Sequence, residues 1–267
     1  MKNRRRVETF PLSRISTFDV GVISRKKHHI TGLLEVDVTD ARARLRSIRR
    51  AGSPVSFTAW FVKTVALSIQ DMAQVHGVLR GQRRRTIFQD VDISLVVERE
   101  VNGTPVPLPV VVRNCNTTSI EGIETSIASA INQEIDGSRD YQLDKKRSPF
   151  ITALYYRLPQ FQRVGIIQRI LKNPDIRKKM MGTVIVTSVA PGLQFPGWIL
   201  PRSMHNLAFG LGSVVRKPRV VHDEVKPRDV LHLTVLFDHD VVDGAPAARF
   251  VSYLVKNLET ATVLPNS

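Results

Sequence analysis

A largely apolar run over residues 229–237 reads as a long buried strand, and it stops abruptly at Asp238-His239-Asp240-Val241-Val242-Asp243-Gly244. Apolar periodicity resumes at once. Phe250, Val251, Leu254, Val255 and Leu258 recur at helical spacing and form the buried stripe of a terminal helix. A buried strand coupled to a buried helix through so tight a turn calls for a fold in which a sheet layer and a helix layer pack on each other.

The same alternation runs through the rest of the chain. Residues 30–38 alternate toward their end like a strand, and Thr39 is expected to cap a short basic helix with Ala41, Leu45 and Ile48 on one face. Gly52-Ser53-Pro54 breaks that helix. From Ser56, positions 57, 60, 61, 64, 65, 69 and 72 predict a buried helix ending near Gly77. Residues 91–97 and 106–112 are β-rich runs around Asn102-Gly103, a hairpin signal. Thr118 and Glu121 form a predicted capping box for a helix lined by Ile120, Ile123, Ile127 and Ile131. Residues 183–189 and 207–215 are predicted strands, separated by a Pro- and Gly-rich loop from Pro191 to Pro201. Residues 139–180 predict two helices and a turn, either packing into the core or offering an apolar face to a partner subunit or a membrane surface. With no repeat or linker, the economical reading is a single α/β domain over residues 1–267.

Composition removes several classes. The one cysteine, Cys115, excludes a disulfide scaffold and a multi-cysteine zinc or iron–sulfur site, and it reads as a buried, inert thiol. No stretch approaches the length of apolar residues a spanning helix needs, and the basic start (Lys2, Arg4 to Arg6) is not followed by an apolar signal segment. A cytoplasmic setting is expected. The net charge of +15 reads first as a solvated basic surface, and such a field also attracts polyanions, either a phosphate-rich cofactor, an acidic partner, membrane headgroups or nucleic acid. No module with interleaved aromatics accompanies the charge, which argues against nucleic acid. His28-His29 lacks a second cluster at ligand spacing, so no metal is expected. His76, His205, His222 and His232 read as structural.

The turn at 238–244 carries the chemistry. Gly244 lets the chain bend, and Asp243, four residues after His239, can brace the loop. A rigid turn fixes an imidazole within the tolerance that proton transfer demands, and neutral imidazole suits a general base. His-x-x-x-Asp-Gly after a strand and before an amphipathic terminal helix resembles the active-site motif of the chloramphenicol acetyltransferase-like superfamily. It is most similar to the catalytic (core) domain of the dihydrolipoamide acyltransferases of 2-oxo acid dehydrogenase complexes, whose signature is Asp-His-Arg-x-x-Asp-Gly-Ala followed by Ala-x-Phe. Here Asp238-His239 leads to Asp243-Gly244-Ala245 and then Ala247-Ala248-Arg249-Phe250. His29-Ile30-Thr31 with Glu35 to Thr39, Ser56 to Leu67, Val106 to Asn114 and Gly182 to Ser188 resemble further family segments in the same order. Three departures stand out. Asp240 replaces the family arginine, a short Ser13–Lys27 run replaces the basic N-terminal helix, and no lipoyl or peripheral-subunit-binding domain is expected ahead of the core.

The resemblance implies a chloramphenicol acetyltransferase-like two-layer sandwich, with helices packed on a mixed sheet. It implies acyl transfer between coenzyme A and a thiol acceptor such as dihydrolipoyl-lysine, with the lipoyl group supplied in trans. His239 would be the general base and Asp243 a loop brace. Thr187 aligns with the family's oxyanion-stabilising hydroxyl, and Ser188 is its neighbour on the opposite strand face. The assembly implied is a homotrimer, alone or built into a larger symmetric shell. A small-molecule O- or N-acetyltransferase of the same fold and a non-catalytic oligomeric scaffold stand as alternatives.

Overall fold

The computed structural model describes residues 7, 13–101, 104–132, 154–188 and 195–265. Eight strands are present among the described residues: β1 His29–Asp37, β2 Val78–Arg80, β3 Arg84–Thr86, β4 Ile93–Val101, β5 Thr104–Val112, β6 Val184–Ser188, β7 Leu207–Val221 and β8 Glu224–Asp238. The helices are α1 Ser13–Ser24, α2 Thr39–Arg50, α3 Phe57–Asp71, α4 Ile120–Asn132, α5 Gln160–Leu171, α6 Pro174–Met181 and α7 Gly244–Glu259. Six strands form one sheet in the order β1-β8-β7-β6-β4-β5, while β2 and β3 pair as a separate ribbon. β6 runs parallel to both β4 and β7, and the other pairs are antiparallel. The sheet is therefore mixed, as the resemblance implied.

Strand parity decides which face carries the helices. Leu231, Leu233, Val235 and Phe237 of β8 share a face with Leu207, Phe209 and Leu211 of β7 and Val184 and Val186 of β6. That face packs on Trp60, Phe61, Val65 and Ile69 of α3 and on Phe250, Leu254 and Leu258 of α7. Edge-to-face aromatic pairs join the layers, Phe61 with Phe209 and Phe237 with Phe250, each with centroids 5.9 Å apart.

On the opposite face, residues 195–201 lie against β7 and β8. Trp198 Nε1 donates to the Leu34 carbonyl at 2.9 Å, and the Gly197 amide donates to Ser213 Oγ at 2.9 Å. Ser213 Oγ in turn meets His232 Nδ1 at 2.8 Å, and Lys217 Nζ donates to His232 Nε2 at 3.1 Å. An ammonium can only donate, so Nε2 accepts and Nδ1 carries the ring proton. Burial, followed by Lys217, holds the His232 pKa below its ordinary value.

Several local expectations are corrected. Thr39 is the first residue of α2 and not its cap; its hydroxyl donates to Asp37 and accepts from the Asp229 amide at 2.7 Å. The α4 cap is Ser119, whose Oγ accepts from the Gly122 amide at 3.1 Å, so Thr118 stands one residue too early. Of the predicted α4 stripe, Ile123 and Ile127 are buried and Ile131 is exposed. Ser56 does cap α3, which ends at Asp71 and continues as a short 3-10 turn to His76. β7 and β8 extend well beyond 207–215 and 229–237 into a two-stranded arm whose outer residues are half-buried or exposed and mix Arg and Lys with Val and Pro, so no apolar run marks them in the sequence. The Ser13–Lys27 run is largely helical, tied to α5 by a buried bidentate pair between Asp19 and Arg163 at 2.8 and 3.0 Å. The Asn102-Gly103 turn lies outside the described residues, as do 139–153. The strands flanking that turn pair antiparallel, with Val101 opposite Thr104.

A Cβ on Gly212 would lie 2.3 Å from the Gly197 carbonyl oxygen and 2.9 Å from that of His232, whereas one on Gly21 meets nothing within 4 Å. Gly212→Ala therefore lowers stability by about 1–3 kcal/mol, and Gly21→Ala, inside α1, raises it by up to ~1 kcal/mol. Urea unfolding of both variants checks the contrast.

Candidate active site

The site grows from the end of β8. Asp238 is fully buried, and its carboxylate accepts from Lys27 Nζ at 2.5 Å. Its amide donates to the Asn206 carbonyl at 2.8 Å, and its own carbonyl accepts from the Val241 and Val242 amides at 2.9 and 3.1 Å. These bonds close the turn. The His239 amide donates to the His28 carbonyl at 2.9 Å, fixing the backbone that bears the imidazole. Val241 and Val242 are buried and anchor the far side.

A second layer holds the first. Lys27 Nζ also donates to Asn206 Oδ1 at 2.7 Å, and Arg177 of α6 donates to the same oxygen at 3.0 Å and to the Met204 carbonyl at 2.7 Å. Asn206 Nδ2 donates to the Gly77 carbonyl at 2.6 Å, and Arg85 of β3 donates to the Val241 carbonyl at 3.0 Å. Burial, then the nearby Arg177 charge, lower the Lys27 pKa, while Asp238 acts in the opposite direction. Lys27, Asn206, Arg177 and Arg85 converge from four separate regions. None belongs to the local motif, so residue spacing gave no signal for them.

The backbone of the turn is thus fixed while the His239 and Asp240 side chains are exposed. The His239 ring makes no hydrogen bond to a described residue. Asp243 occupies the N-cap position of α7 in extended conformation, but its carboxylate accepts no capping bond and is exposed. Asp240, where the family arginine is expected, faces His28 Nδ1 at 3.0 Å. That hydrogen bond raises the His28 pKa.

Thr187 and Ser188 lie elsewhere. Thr187 pairs with Gly210, which pairs with Thr234, so His239 is five residues further along β8 and two strands across. At ~3.4 Å per residue and ~4.8 Å per strand, the separation is about 19 Å. Their side chains take opposite faces. Ser188 pairs with Leu211 on the helix-covered face, and Thr187 pairs with Gly210 beneath Ile199 and Pro201. Ser188 lines a cavity of about 460 Å³ whose walls include Arg42, Arg46 and Arg49 of α2 and Phe57 of α3. Arg42 pairs with Asp229 at 2.8 Å and Arg49 donates to the Val55 carbonyl at 3.0 Å. Arg46 has no partner among the described residues. These three arginines recur one helical turn apart, a signal present in the sequence that composition alone does not single out.

Cys115, His76 and His205 are buried. Burial pushes the Cys115 thiol up to about 12, and lowers His76 to about 4 and His205 to about 3. His76 Nδ1 meets Thr183 Oγ1 at 3.0 Å, and His205 Nε2 meets the Met181 carbonyl at 2.7 Å. His29 Nε2 meets the His205 carbonyl at 2.9 Å.

Lys27→Met leaves a buried carboxylate without its ammonium and lowers stability by about 3–5 kcal/mol. Adding Asp238→Asn restores part of that loss. Chemical unfolding of the two variants measures both effects, and equal stability of Lys27→Met and the parent contradicts this reading of the turn.

A family model for the 2-oxoacid dehydrogenases acyltransferase (catalytic domain) matches residues 21–143 and 193–264. The matched stretches include His239 and Asp243 and pass over Thr187 and Ser188. The lipoamide acyltransferase component of the branched-chain alpha-keto acid dehydrogenase complex of Bacillus subtilis is 25% identical over 240 residues, covering 87% of this chain and 47% of that protein. The dihydrolipoyllysine-residue acetyltransferase component of the pyruvate dehydrogenase complex of Mycoplasma capricolum is 23% identical over 228 residues, covering 83% and 43%. The chain therefore spans less than half the length of these relatives. Among solved structures, a probable dihydrolipoamide acetyltransferase from Listeria monocytogenes shares the fold with a TM-score of 0.67 at 17% identity, covering 98% of this chain and 97% of that one. A chloramphenicol acetyltransferase matches with a TM-score of 0.51 at 13% identity, covering 98% and 99%. With a strand–turn–helix carrying His239 and a family match over most of its length, the chain belongs to the acyltransferase catalytic-domain family of the 2-oxoacid dehydrogenases.

Proposed function

We propose that this chain is a coenzyme A-dependent acyltransferase, moving an acyl group between acyl-CoA and a thiol such as dihydrolipoyl-lysine. The observation that carries the reading is His239, with an exposed ring free of hydrogen bonds to described residues on a backbone held by buried polar bonds. In this reading the neutral imidazole takes the proton of the acceptor thiol. The thiolate sulfur attacks the thioester carbonyl, and the tetrahedral oxyanion accepts a hydrogen bond from a hydroxyl. The intermediate collapses, the carbon–sulfur bond to coenzyme A breaks, and the imidazolium returns its proton to the departing thiolate. A well-placed oxyanion donor contributes about 3–4 kcal/mol.

Thr187 is the donor we favour. It stands too far from His239 to serve the same chain, so the site needs the Thr187 of one subunit and the His239 of another. That requirement favours a homotrimer with sites between neighbours, alone or within a larger shell. Solved relatives include the cubic core of a pyruvate dehydrogenase complex. The arginine-lined cavity suits the phosphates of coenzyme A and opens on the Ser188 face of β6, across the sheet from the Thr187 side chain. Among described residues no helix is long and apolar enough to cross a membrane.

Thiol release from acyl-CoA with and without dihydrolipoamide tests the reading. Release should depend on dihydrolipoamide, and His239→Ala should lower kcat by about 10²–10⁴-fold with the fold intact. Dihydrolipoamide-independent transfer to a small hydroxyl or amine acceptor would favour the small-molecule acetyltransferase. Undiminished release by His239→Ala would refute the mechanism.

A further inference from the structure

The β2–β3 ribbon stands apart from the main sheet, and the reaction above uses none of its side chains. Residues 72–89 include Arg80, Arg83, Arg84 and Arg85 and no Asp or Glu. The ribbon's register sets Arg80 directly opposite Arg84. Like charges facing each other across strands oppose the pairing they belong to. All four arginines are exposed, and Arg80, Arg83 and Arg84 have no partner among the described residues.

Arg85 differs. It pairs with Leu79 in the register and reaches the Val241 carbonyl at 3.0 Å. Its Cδ and Val241 Cγ1 both lie within 3.6 Å of where a Cβ on Gly77 would be. The ribbon is thereby buttressed against the turn that carries His239. Its tip holds uncompensated cations that local stability disfavours, a pattern expected where a binding function sets the residues.

We propose that the β2–β3 ribbon is a docking arm for an acidic protein carrier, whose Asp and Glu side chains engage Arg80, Arg83 and Arg84 while its acyl-bearing group reaches His239. Guanidinium pairs with carboxylates bidentately, so two arginines side by side make a fork for an acidic surface. The carrier's cargo rests on the acyltransferase reading; the docking does not require turnover. Coenzyme A is the weaker match, because a separate set of arginines, Arg42, Arg46 and Arg49, already lines the cavity beside Ser188 that suits its phosphates. Nucleic acid is disfavoured because residues 78–86 contain no aromatic side chain for base stacking.

The test uses the whole chain and a fluorescent lipoylated carrier domain of acidic surface, beside the same domain with its surface carboxylates amidated. Anisotropy should show tighter binding of the acidic form. The Arg80→Gln/Arg84→Gln double variant, which keeps the Arg85 contact, should weaken that binding about tenfold. Arg83→Gln, outside the register pairs, should move it in the same direction. The ratio of KM for the carrier to KM for free dihydrolipoamide should rise with the loss of binding. Equal binding by parent and variants overturns the proposal, as does equal affinity for the amidated domain. A single-stranded oligonucleotide that outcompetes the acidic carrier on the parent but not on the variants overturns it in favour of nucleic acid. If the carrier binds as expected but no thiol is acylated, docking stands and the acyltransferase reading fails.

Discussion

Everything at the reactive end of this molecule depends on one buried contact, the Lys27 ammonium against the Asp238 carboxylate. A carboxylate taken out of water at the end of a central strand is costly unless a cation and hydrogen bonds meet it. Lys27 supplies the cation and shares Asn206 with Arg177, so α6, the start of β7 and the link from α1 to β1 are drawn to the same point. The turn that follows is consequently set by buried polar bonds, and the imidazole is presented to solvent from a fixed backbone. A helix dipole or a flexible loop is not needed to explain its position.

The same strand geometry that fixes His239 also separates it from the hydroxyls of β6. Hydrogen-bonded register leaves no freedom to slide Thr187 toward the turn, since every residue of β6 has an assigned partner in β7. Thr187 also faces the side covered by residues 195–201, while Ser188 faces α2. If Thr187 is the oxyanion donor, chemistry happens between chains. Oligomerisation then belongs to the catalytic mechanism and is more than a means of stability.

Legibility in the sequence followed physical locality. The strand–turn–helix around His239 and the α3 stripe were readable because burial imposes a period on neighbouring residues, whereas α5 and α6, which bury few apolar residues, showed no such period. The outer halves of β7 and β8 were not readable either, because a largely solvated two-stranded arm has no fully buried face to demand an apolar run. Only the register of β2 and β3 reveals that two arginines, Arg80 and Arg84, stand face to face. Caps slipped by one residue at Ser119, where Thr118 and Ser119 offer the same chemistry in adjacent positions. Lys27 and Asn206 were invisible for a different reason. They lie 211 and 32 residues from Asp238, and a single sequence carries no mark of who meets whom.

The central claim is a site shared between subunits, His239 from one and Thr187 from its neighbour. Subunits carrying His239→Ala and subunits carrying Thr187→Val should each be inactive alone. Unfolded together and refolded as mixed oligomers, they regenerate intact sites wherever a Thr187→Val subunit lends its histidine to a His239→Ala neighbour. Random assembly at equal ratio gives about a quarter of the parental activity. Mixed oligomers that stay as inactive as their parents would contradict the shared site.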